Sequence, residues 1–314
     1  MPVPKSFLSD LKRFDLNKLY DSAKEALDKK GINYITYESG YYPDSLKQIE
    51  DFPLLLYYKG SFENINFERT LGIVGSRNAT ESARQNVRNM VFGFLNTDAV
   101  IVSGLASGID TAAHKAALAN GLKTIGVIGS GLNFKYPSQN AALYDEIEEK
   151  GLILSEYPNS VPARPVNFPQ RNRIVTGLSK GVIIAEARLK SGAMISARRA
   201  IEQGRELMCI PGLITNPNCE GIYHLIKNGA EIVTKTEDIL NRMGWEIKAA
   251  SSEKTELKGI EKEIYDLISG EEISFEGLKQ KLDVGINELM IKLTEMELSG
   301  LIIQKNGLYY ILGN

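Results

Sequence analysis

Residues 99–129 read AVIVSGLASGIDTAAHKAALANGLKTIGVIG, and this stretch decides the fold class. It begins and ends with short β-branched runs, at 99–103 and 124–129. Between them lie a loop of small residues and a pattern typical of a helix. A strand, a helix and a second strand in this order predict a parallel βαβ unit, because parallel strands need a crossover between them.

The same alternation continues on both sides of this unit. Five further runs have the composition of strands: LGIVG (71–75), GLILSE (151–156), GVIIAEA (181–187), LMCIPG (207–212) and AEIV (230–233). Nearly all of them are apolar on both faces, which predicts helices on each side of the sheet. We therefore predict an α/β fold with an extended Rossmann-like, doubly wound and mostly parallel sheet. Its ligand would lie beyond the carboxyl ends of the strands.

Shifts in composition divide the chain into four regions. Residues 1–60 predict a short helical and extended lead-in, 61–243 the Rossmann-like domain, and the polar residues 244–257 a linker. Residues 258–314 predict three helices followed by two short strands, joined at Asn306-Gly307, a favoured hairpin turn. Three helices and a hairpin in this order predict a C-terminal winged-helix domain.

Composition excludes several classes of protein. The 314 residues contain no apolar run of the roughly 18 residues that span a bilayer, and the first residues are too charged for a signal peptide. We expect a cytoplasmic protein that has no membrane partner. Cys209 and Cys219 lack the spacing and the histidine partners of a metal site, so we expect packed thiols and no bound metal.

Charge is distributed unevenly along the chain. The formal net charge is −2, yet residues 161–205 carry nine basic and two acidic side chains, a local balance of +7 that leaves −9 for the remainder. Binding to nucleic acid is driven largely by positive surface. A concentration of cations in an otherwise acidic chain therefore predicts one local site for phosphate.

The first two loops after the strands are candidates for that site. GSRNAT (75–80) and SGLASGID (103–110) each lead from a strand into a helix, where outward-facing backbone N–H groups and the helix dipole favour an anion. Arg77 could clamp a phosphate, or it could be a solvated arginine in a tight turn. Thr80 can cap the first helix, and we expect Asp110 to cap the second and His114 to be structural.

The third loop, GSGLNFKYP (129–137), opens with GxG but lacks the third glycine of the dinucleotide fingerprint. The second strand ends in Ser103, where a nicotinamide site would have an acidic residue for the ribose hydroxyls. Both features disfavour a nicotinamide enzyme, and we predict no cofactor. Further along, the turn at Ser191-Gly192 predicts exposed N–H groups at another helix start.

The most informative loop is PARPVNFPQRNR (162–173), which combines two kinds of contact to nucleic acid. Its arginines are Arg164, Arg171 and Arg173. Arginines neutralise phosphates, while a ring such as Phe168 stacks on an unpaired base, a contact worth about 1–3 kcal/mol. This mixture favours a single strand over a duplex. The alternative is that Phe168 packs in the core and Arg173 pairs with Glu186 or Glu156.

Several of these segments together resemble the DNA-processing protein A (DprA/Smf) family. The matching segments include GIVGSR (72–77), VSGLASGIDTAAHKAAL (102–118), FPQRNRIVTGLS (168–179) and EARLKSGAMISARRAIEQGR (186–205), and their joint occurrence is highly specific. The resemblance implies a homodimer, not an enzyme, that binds and protects incoming single-stranded DNA. It also implies that the protein loads the RecA recombinase during natural transformation and recombination. The resemblance assigns the DNA-binding pocket to Gly75, Ser76, Arg77, Ser103, Gly104, Gly108, Arg164, Phe168, Arg171, Asn172 and Arg173.

Two other functions compete with this interpretation. Glycine loops on a Rossmann-like domain also occur in nucleotide-binding and nucleoside-monophosphate-hydrolysing enzymes, but the PGGxGTxxE signature of the latter group is absent from this sequence. A transcription regulator would read DNA through the winged helix. Acidic side chains outnumber basic ones in residues 274–299, which disfavours a major-groove reader there.

Overall fold

A nine-stranded sheet organises the first part of the computed structural model, within residues 16–95 and 97–246. Its strands in chain order are β1 (Asn33–Thr36), β2 (Leu55–Gly60), β3 (Thr70–Gly75), β4 (Val100–Ser103), β5 (Lys123–Ile128), β6 (Leu152–Ser155), β7 (Gly181–Ala185), β8 (Glu206–Ile210) and β9 (Glu231–Ile232). Side by side they run 1-2-6-5-4-3-7-8-9, and β3 to β9 pair in parallel. This confirms the predicted α/β fold with a mostly parallel sheet.

Helices connect these strands and cover both faces of the sheet. In chain order they are α1 (Leu16–Asp28), α2 (Asp44–Lys47), α3 (Glu81–Phe92), α4 (Ile109–Ala119), α5 (Ala141–Lys150), α6 (Asn167–Leu178), α7 (Gly192–Glu202), α8 (Glu220–Lys227) and α9 (Thr236–Met243). Short 3₁₀ turns lie at Phe67–Arg69, Ser138–Asn140 and Pro217–Cys219.

The two faces of the sheet bury separate apolar layers, because successive side chains of a strand point to opposite sides. On β3, Ile73 packs in one layer with Val87 of α3 and Ala113 of α4. Its neighbour Val74 packs in the other layer with Ala197 of α7. Helices therefore cover both faces of the sheet with apolar side chains, as the apolar strands predicted, and the sheet is doubly wound.

The segment before β3 adds an antiparallel edge to the sheet. Strands β1 and β2 pair with each other, and β2 pairs antiparallel with β6, with Tyr58 opposite Leu154. Residues 55–60, which the sequence placed in the lead-in, therefore belong to the sheet. Leu46 and Ile49 lie against Gly177 of α6, so this segment also packs on a helix that carries candidate site residues.

The structure describes residues 16–95, 97–246, 259–270, 273–298, 301–305 and 307–311. It divides the chain into two compact units, Met1–Ile247 and Lys248–Asn314. Residues 1–15 of the predicted lead-in and 247–257 of the predicted linker lie outside the described residues. None of the described helices has the length and apolar character needed to cross a membrane.

The second unit contains the predicted three helices and two strands. Its elements are α10 (Ile260–Gly270), β10 (Ile273–Ser274), α11 (Phe275–Lys281), α12 (Ile286–Leu298), β11 (Ile302–Lys305) and β12 (Leu308–Ile311). Strand β12 pairs antiparallel with both β10 and β11. Ile264, Leu278 and Leu293, one from each helix, meet in a small core. The winged-helix assignment stays a prediction, and residue 306 of the predicted turn lies outside the described residues.

Candidate nucleic-acid interface

A cleft of about 650 Å³ opens where β3 and β7 end. β3 and β7 are neighbours in the sheet, and the chain continues from β3 to β4 on one side and from β7 to β8 on the other. Doubly wound sheets bind their ligands where adjacent strands lead in opposite directions in this way. Six of the predicted site residues line the cleft: Gly75, Ser76, Arg77, Phe168, Arg171 and Asn172. The other five do not line it: Ser103, Gly104, Gly108, Arg164 and Arg173.

Aromatic rings and an arginine form a stack in this cleft. The Phe168 ring lies 5.6 Å from the Tyr136 ring, at an interplanar angle of 29°. On Phe168 also lies Arg77, whose Cζ atom is 5.1 Å from the ring centroid. Gly129 leaves room for this ring, since a Cβ there would lie 3.0 Å from a Phe168 carbon. Phe168 is thus presented in the cleft.

Arg77 and the start of α7 supply the positive potential of the cleft. Arg77 is exposed, and no carboxylate in the described part of the chain lies within ion-pair distance of it. The backbone N–H groups of Gly192 and Ala193 have no hydrogen-bond partner among the described residues. Exposed Arg188, whose Nε donates to the Asn218 side chain, lies beside them. Free amides, a helix dipole and guanidinium groups form a site for an anion.

Two amides of the first loop, those of Ser76 and Thr80, point inward, which differs from the outward direction expected for residues 75–80. The N–H of Ser76 donates to the carbonyl of Glu186 at 2.8 Å, and the N–H of Thr80 donates to the Glu186 carboxylate at 3.1 Å. Thr80 does cap α3, as its hydroxyl accepts from the N–H of Ala83 at 3.2 Å. The anion at this helix start is therefore a side chain of the protein itself.

The glycines of the first two loops make room for protein rather than for a ligand. A Cβ on Gly75 would overlap the carbonyl oxygen of Ala185, and one on Gly108 would overlap that of Ser76. Gly108 also has a φ of +83°, which a side chain would disfavour. A Cβ on Gly104 would overlap the guanidinium of Arg171. Close approach is needed here, but between loops of the same chain.

Asp110 ties the second loop together instead of capping α4. It lies in the first turn of that helix, where its carboxylate accepts from the N–H groups of Gly104 at 3.1 Å and Ala106 at 3.3 Å. Burial raises the pKa of Asp110, while the Arg171 guanidinium and these two amides act in the opposite direction. The predicted cap is wrong because Asp110 reaches back to the loop, and Gly108 occupies the cap position.

His114 is structural, as predicted. It is fully buried, and its Nδ1 lies 2.7 Å from the Thr124 hydroxyl. That hydroxyl donates its only proton to the carbonyl of Ile101, so Nδ1 of His114 is the donor. Burial, reinforced by the charge of Arg171, lowers the pKa of His114 to about 3. The ring is therefore neutral at pH 7.

Two arginines of α6 are buried inside the protein. Arg171 is 3% exposed and donates to the carbonyls of Gly104 and Val127. Arg173 is 8% exposed and pairs with Glu156 at 2.6 Å and with Asp51 at 3.1 Å. The Glu156 pair is one that the sequence left open, and it directs Arg173 away from the cleft. Their roles in DNA binding remain predictions.

Ser103 and Arg164 also lie apart from the cleft. The Ser103 hydroxyl is buried and donates to the carbonyl of Ile73 at 2.6 Å, so it connects β4 to β3. Arg164 is exposed in the loop before α6. The described residues contain no cluster of three or more His, Cys, Asp or Glu side chains that could hold a metal ion.

Comparison with known families decides the identity of this architecture. The family model described as DNA recombination-mediator protein A matches residues 33–244, which include the whole sheet and every residue of the cleft. The chain belongs to the DNA recombination-mediator protein A family. This confirms the resemblance that the motifs indicated.

Relatives in the DNA recombination-mediator protein A family share much of the sequence. DNA processing protein DprA of Streptococcus pneumoniae is 48% identical over 200 residues, covering 63% of this chain and 70% of that protein. DprA of Bacillus subtilis is 40% identical over 218 residues, covering 69% and 73%.

Solved structures of the family also share the fold. DprA from S. pneumoniae superposes with a TM-score of 0.66 at 43% identity, covering 69% of this chain and 77% of that chain. The protein from Helicobacter pylori, described for its unique single-stranded DNA binding mode, gives a TM-score of 0.61 at 32% identity, covering 67% and 95%.

Sequence reasoning missed three residues that contribute to the cleft. Tyr136 extends the aromatic stack, and Asn218 holds Arg188. Glu186 was considered only as a partner of Arg173, yet it binds the loop that carries Arg77. Tyr136 lies in the third loop, residues 129–137, which the sequence analysis considered, but nothing in the sequence predicts that its ring stacks on Phe168. Asn218 and Glu186 act through contacts between distant segments, which leave no local pattern.

Proposed function

We propose that this chain binds single-stranded DNA in the cleft at the ends of β3 and β7. The observation that carries the proposal is the stack of Tyr136, Phe168 and Arg77 beside the free amides of Gly192 and Ala193. Membership of a DNA recombination-mediator family supports it, as does the single-stranded DNA binding described for the H. pylori relative.

The cleft suits an unpaired strand for a physical reason. The bases of a duplex are paired and stacked inside the helix, so they cannot lie on a protein ring without being extruded. An unpaired base can lie on Phe168 or Tyr136, and such stacking contributes about 1–3 kcal/mol per base. Its phosphates would lie near Arg77, Arg188 and the amide groups at the start of α7.

The proposal also includes two partners, a second copy of the chain and the RecA recombinase. A homodimer would bring two clefts to one strand, and a strand held in open clefts stays accessible for transfer to the RecA recombinase. The family relationship supports both steps. We propose no chemical change to the strand, so the protein acts by binding.

Fluorescence anisotropy with oligo-dT and a matched duplex across a salt series tests this function. We expect tighter binding to the single strand, with log K falling linearly against log salt by roughly 0.7 for each phosphate contact. Equal affinity for both oligonucleotides, or none for either, would overturn the proposal. Light scattering tests the dimer, and the rate of RecA filament growth on the bound strand tests the transfer.

The same protein preparation discriminates the competing enzyme. Nucleoside monophosphates incubated with the protein should be recovered intact, and the oligonucleotide should keep its length after binding. Release of a free base would support the nucleotide-hydrolysing alternative. That result would leave the cleft as a nucleotide site but remove the strand as its ligand.

A further inference from the structure

Glu186 has a buried carboxylate that forms an ion pair with neither Arg171 nor Arg173 of α6. It follows β7 directly and is 3% exposed. No Lys or Arg of the described residues lies within ion-pair distance of it. A buried carboxylate without a cation needs hydrogen-bond donors to remain charged, so its partners show what it is there to hold.

Those partners belong to the loop that carries Arg77. The carboxylate accepts from the Thr80 amide at 3.1 Å and from the Thr80 hydroxyl at 2.5 Å. The backbone carbonyl of Glu186 accepts from the Ser76 amide at 2.8 Å. One residue therefore fixes both ends of segment 76–80, and Arg77 extends from between the two fixed points.

A third loop joins the same carboxylate. The side-chain amide of Asn216, from the loop after β8, donates to Glu186 at 3.3 Å. That loop continues to Asn218, which holds Arg188 at the cleft. Glu186 thus connects the segments that present two of the cationic groups of the cleft.

The backbone at Glu186 has a geometry that the surroundings must maintain. Its φ is +52°, in the left-handed region that side chains other than glycine rarely occupy. Such conformations persist where neighbouring contacts over-determine them, and they concentrate at binding sites. The negative charge also lies at the start of α3, where the helix dipole stabilises it.

We propose that Glu186 is a positioning residue for Arg77. By fixing Ser76 and Thr80, it sets where the Arg77 guanidinium lies above the Phe168 ring, and so determines the geometry of the nucleotide subsite. This inference rests on the proposed binding of single-stranded DNA. Glu186 itself is buried beneath the loop and contacts no nucleotide.

A double-mutant cycle tests the inference through oligo-dT affinity. Glu186→Gln replaces one acceptor oxygen with a donor that opposes the Thr80 N–H. We expect affinity about three- to tenfold weaker, because a misplaced Arg77 recovers part of its contact. In the Arg77→Ala background, Glu186→Gln should weaken binding by clearly less than it does in wild type, since Glu186 acts through Arg77 and only the longer Asn216 bond leads towards Arg188. A loss of packing elsewhere would instead add to the effect of Arg77→Ala.

Matched controls separate position from stability. Glu206→Gln changes a half-exposed carboxylate at the start of β8, where it pairs with Arg242 away from the cleft, and should bind like wild type. Thr80→Val removes both the hydroxyl bond to Glu186 and the cap of α3, and should weaken binding, whereas Thr80→Ser keeps both contacts and should bind normally. These two variants also decide the case if Glu186→Gln does not fold.

The possible failures are distinguishable. If wild-type protein does not bind oligo-dT, the proposed function fails. If wild type binds and Glu186→Gln binds equally well, the function stands and the inference is wrong. The inference is also wrong if the double variant is weaker than Arg77→Ala by the full factor of Glu186→Gln.

Discussion

The loop after β3 and helix α6 both bring arginines to the same end of the sheet, and they use them in opposite ways. Arg77 of the loop is exposed and lies on an aromatic ring. Arg171 and Arg173 of the helix are 3% and 8% exposed and bind carbonyls or carboxylates of the protein. The same type of side chain is thus presented to the cleft in one region and acts as internal support in the other.

The difference teaches that a cluster of basic residues marks a site without saying which of its members touch the ligand. Residues 161–205 carry a net charge of +7, yet many of these cations have partners within the fold. Arg171 and Arg205 donate to backbone carbonyls, and carboxylates of the protein pair with Arg173, Lys180 and Arg199. The guanidinium that lies over the Phe168 ring, that of Arg77, is exposed and comes from outside this segment. Burial and partners, rather than density of charge, separate the two roles.

The largest expected effect is on stability, from Arg171→Met. The substitution leaves the carbonyls of Gly104 and Val127 without their donor, and it removes the stronger of the two arginine charges, Arg171 and Arg77, that act on buried Asp110. We expect a loss of about 3–5 kcal/mol in the free energy of unfolding, as for other broken buried charge contacts. Urea denaturation followed by circular dichroism measures it.

Arg198→Met is the matched control, because Arg198 is exposed on the neighbouring helix α7. It should change stability by no more than about 0.5 kcal/mol. If Arg171→Met were as stable as Arg198→Met, the buried arginine would not support the fold, and the comparison between the two regions would fail.

The next effect is the acid sensitivity that His114 produces beside Arg171. The folded chain holds the pKa of His114 at about 3, whereas the unfolded chain returns it to roughly 6.5. Below pH 6.5 the unfolded state therefore binds a proton that the folded state does not, so stability falls as pH falls. Each pH unit costs about 1.4 kcal/mol, or about 2 kcal/mol by pH 5.

His114→Asn tests this contribution, since the Asn side-chain amide can replace Nδ1 as the donor to Thr124. We expect the variant to be less stable at pH 7 because it is smaller, but to lose about 2 kcal/mol less than wild type between pH 6.5 and pH 5. Urea midpoints measured at both pH values give the comparison. Parallel curves for the two proteins would show that His114 titrates normally.

Arg77→Ala should reverse the pattern of Arg171→Met, with an effect on binding and none on folding. Loss of one charged contact weakens oligo-dT binding by about 1–2 kcal/mol, roughly tenfold, and lowers the salt slope by about 0.7. Stability should stay within about 0.5 kcal/mol of wild type. Arg88→Ala, which changes a half-exposed arginine of α3 that pairs with Glu81, is the control for charge alone. An unchanged salt slope for Arg77→Ala would remove Arg77 from the interface.

The fold could be predicted because its signals are local. Apolar runs such as 71–75 and 124–129 predict buried parallel strands, and Thr80 before a helical pattern predicts the N-cap of that helix. Strands β1 and β2 were predicted only as an extended lead-in. The pairing of β2 with β6 depends on contacts between segments about a hundred residues apart, which no local period reveals.

The site could be predicted only in part, for the same physical reason. The loops at the ends of the strands were found, because topology places them there. Whether Gly104 faces a ligand or Arg171, and whether Arg173 faces the cleft or Glu156, depends on packing between separate loops. Residue type and spacing are the same whether these residues face a ligand or another part of the protein, so the sequence left their roles open.

The smallest expected effect comes from Arg77→Lys, which separates the contribution of charge from that of the planar guanidinium at the exposed arginine. Lysine keeps the positive charge, so the salt slope of oligo-dT binding should equal that of wild type. It lacks the planar guanidinium that lies 5.1 Å from the Phe168 centroid and that can bind a phosphate through two N–H groups. We therefore expect affinity to fall by about 0.5–1 kcal/mol, roughly two- to fivefold. Anisotropy titrations at two salt concentrations measure both quantities. If Arg77→Lys bound as weakly as Arg77→Ala, the flat geometry of the arginine would supply the whole contact, whereas wild-type affinity would show that charge alone is sufficient.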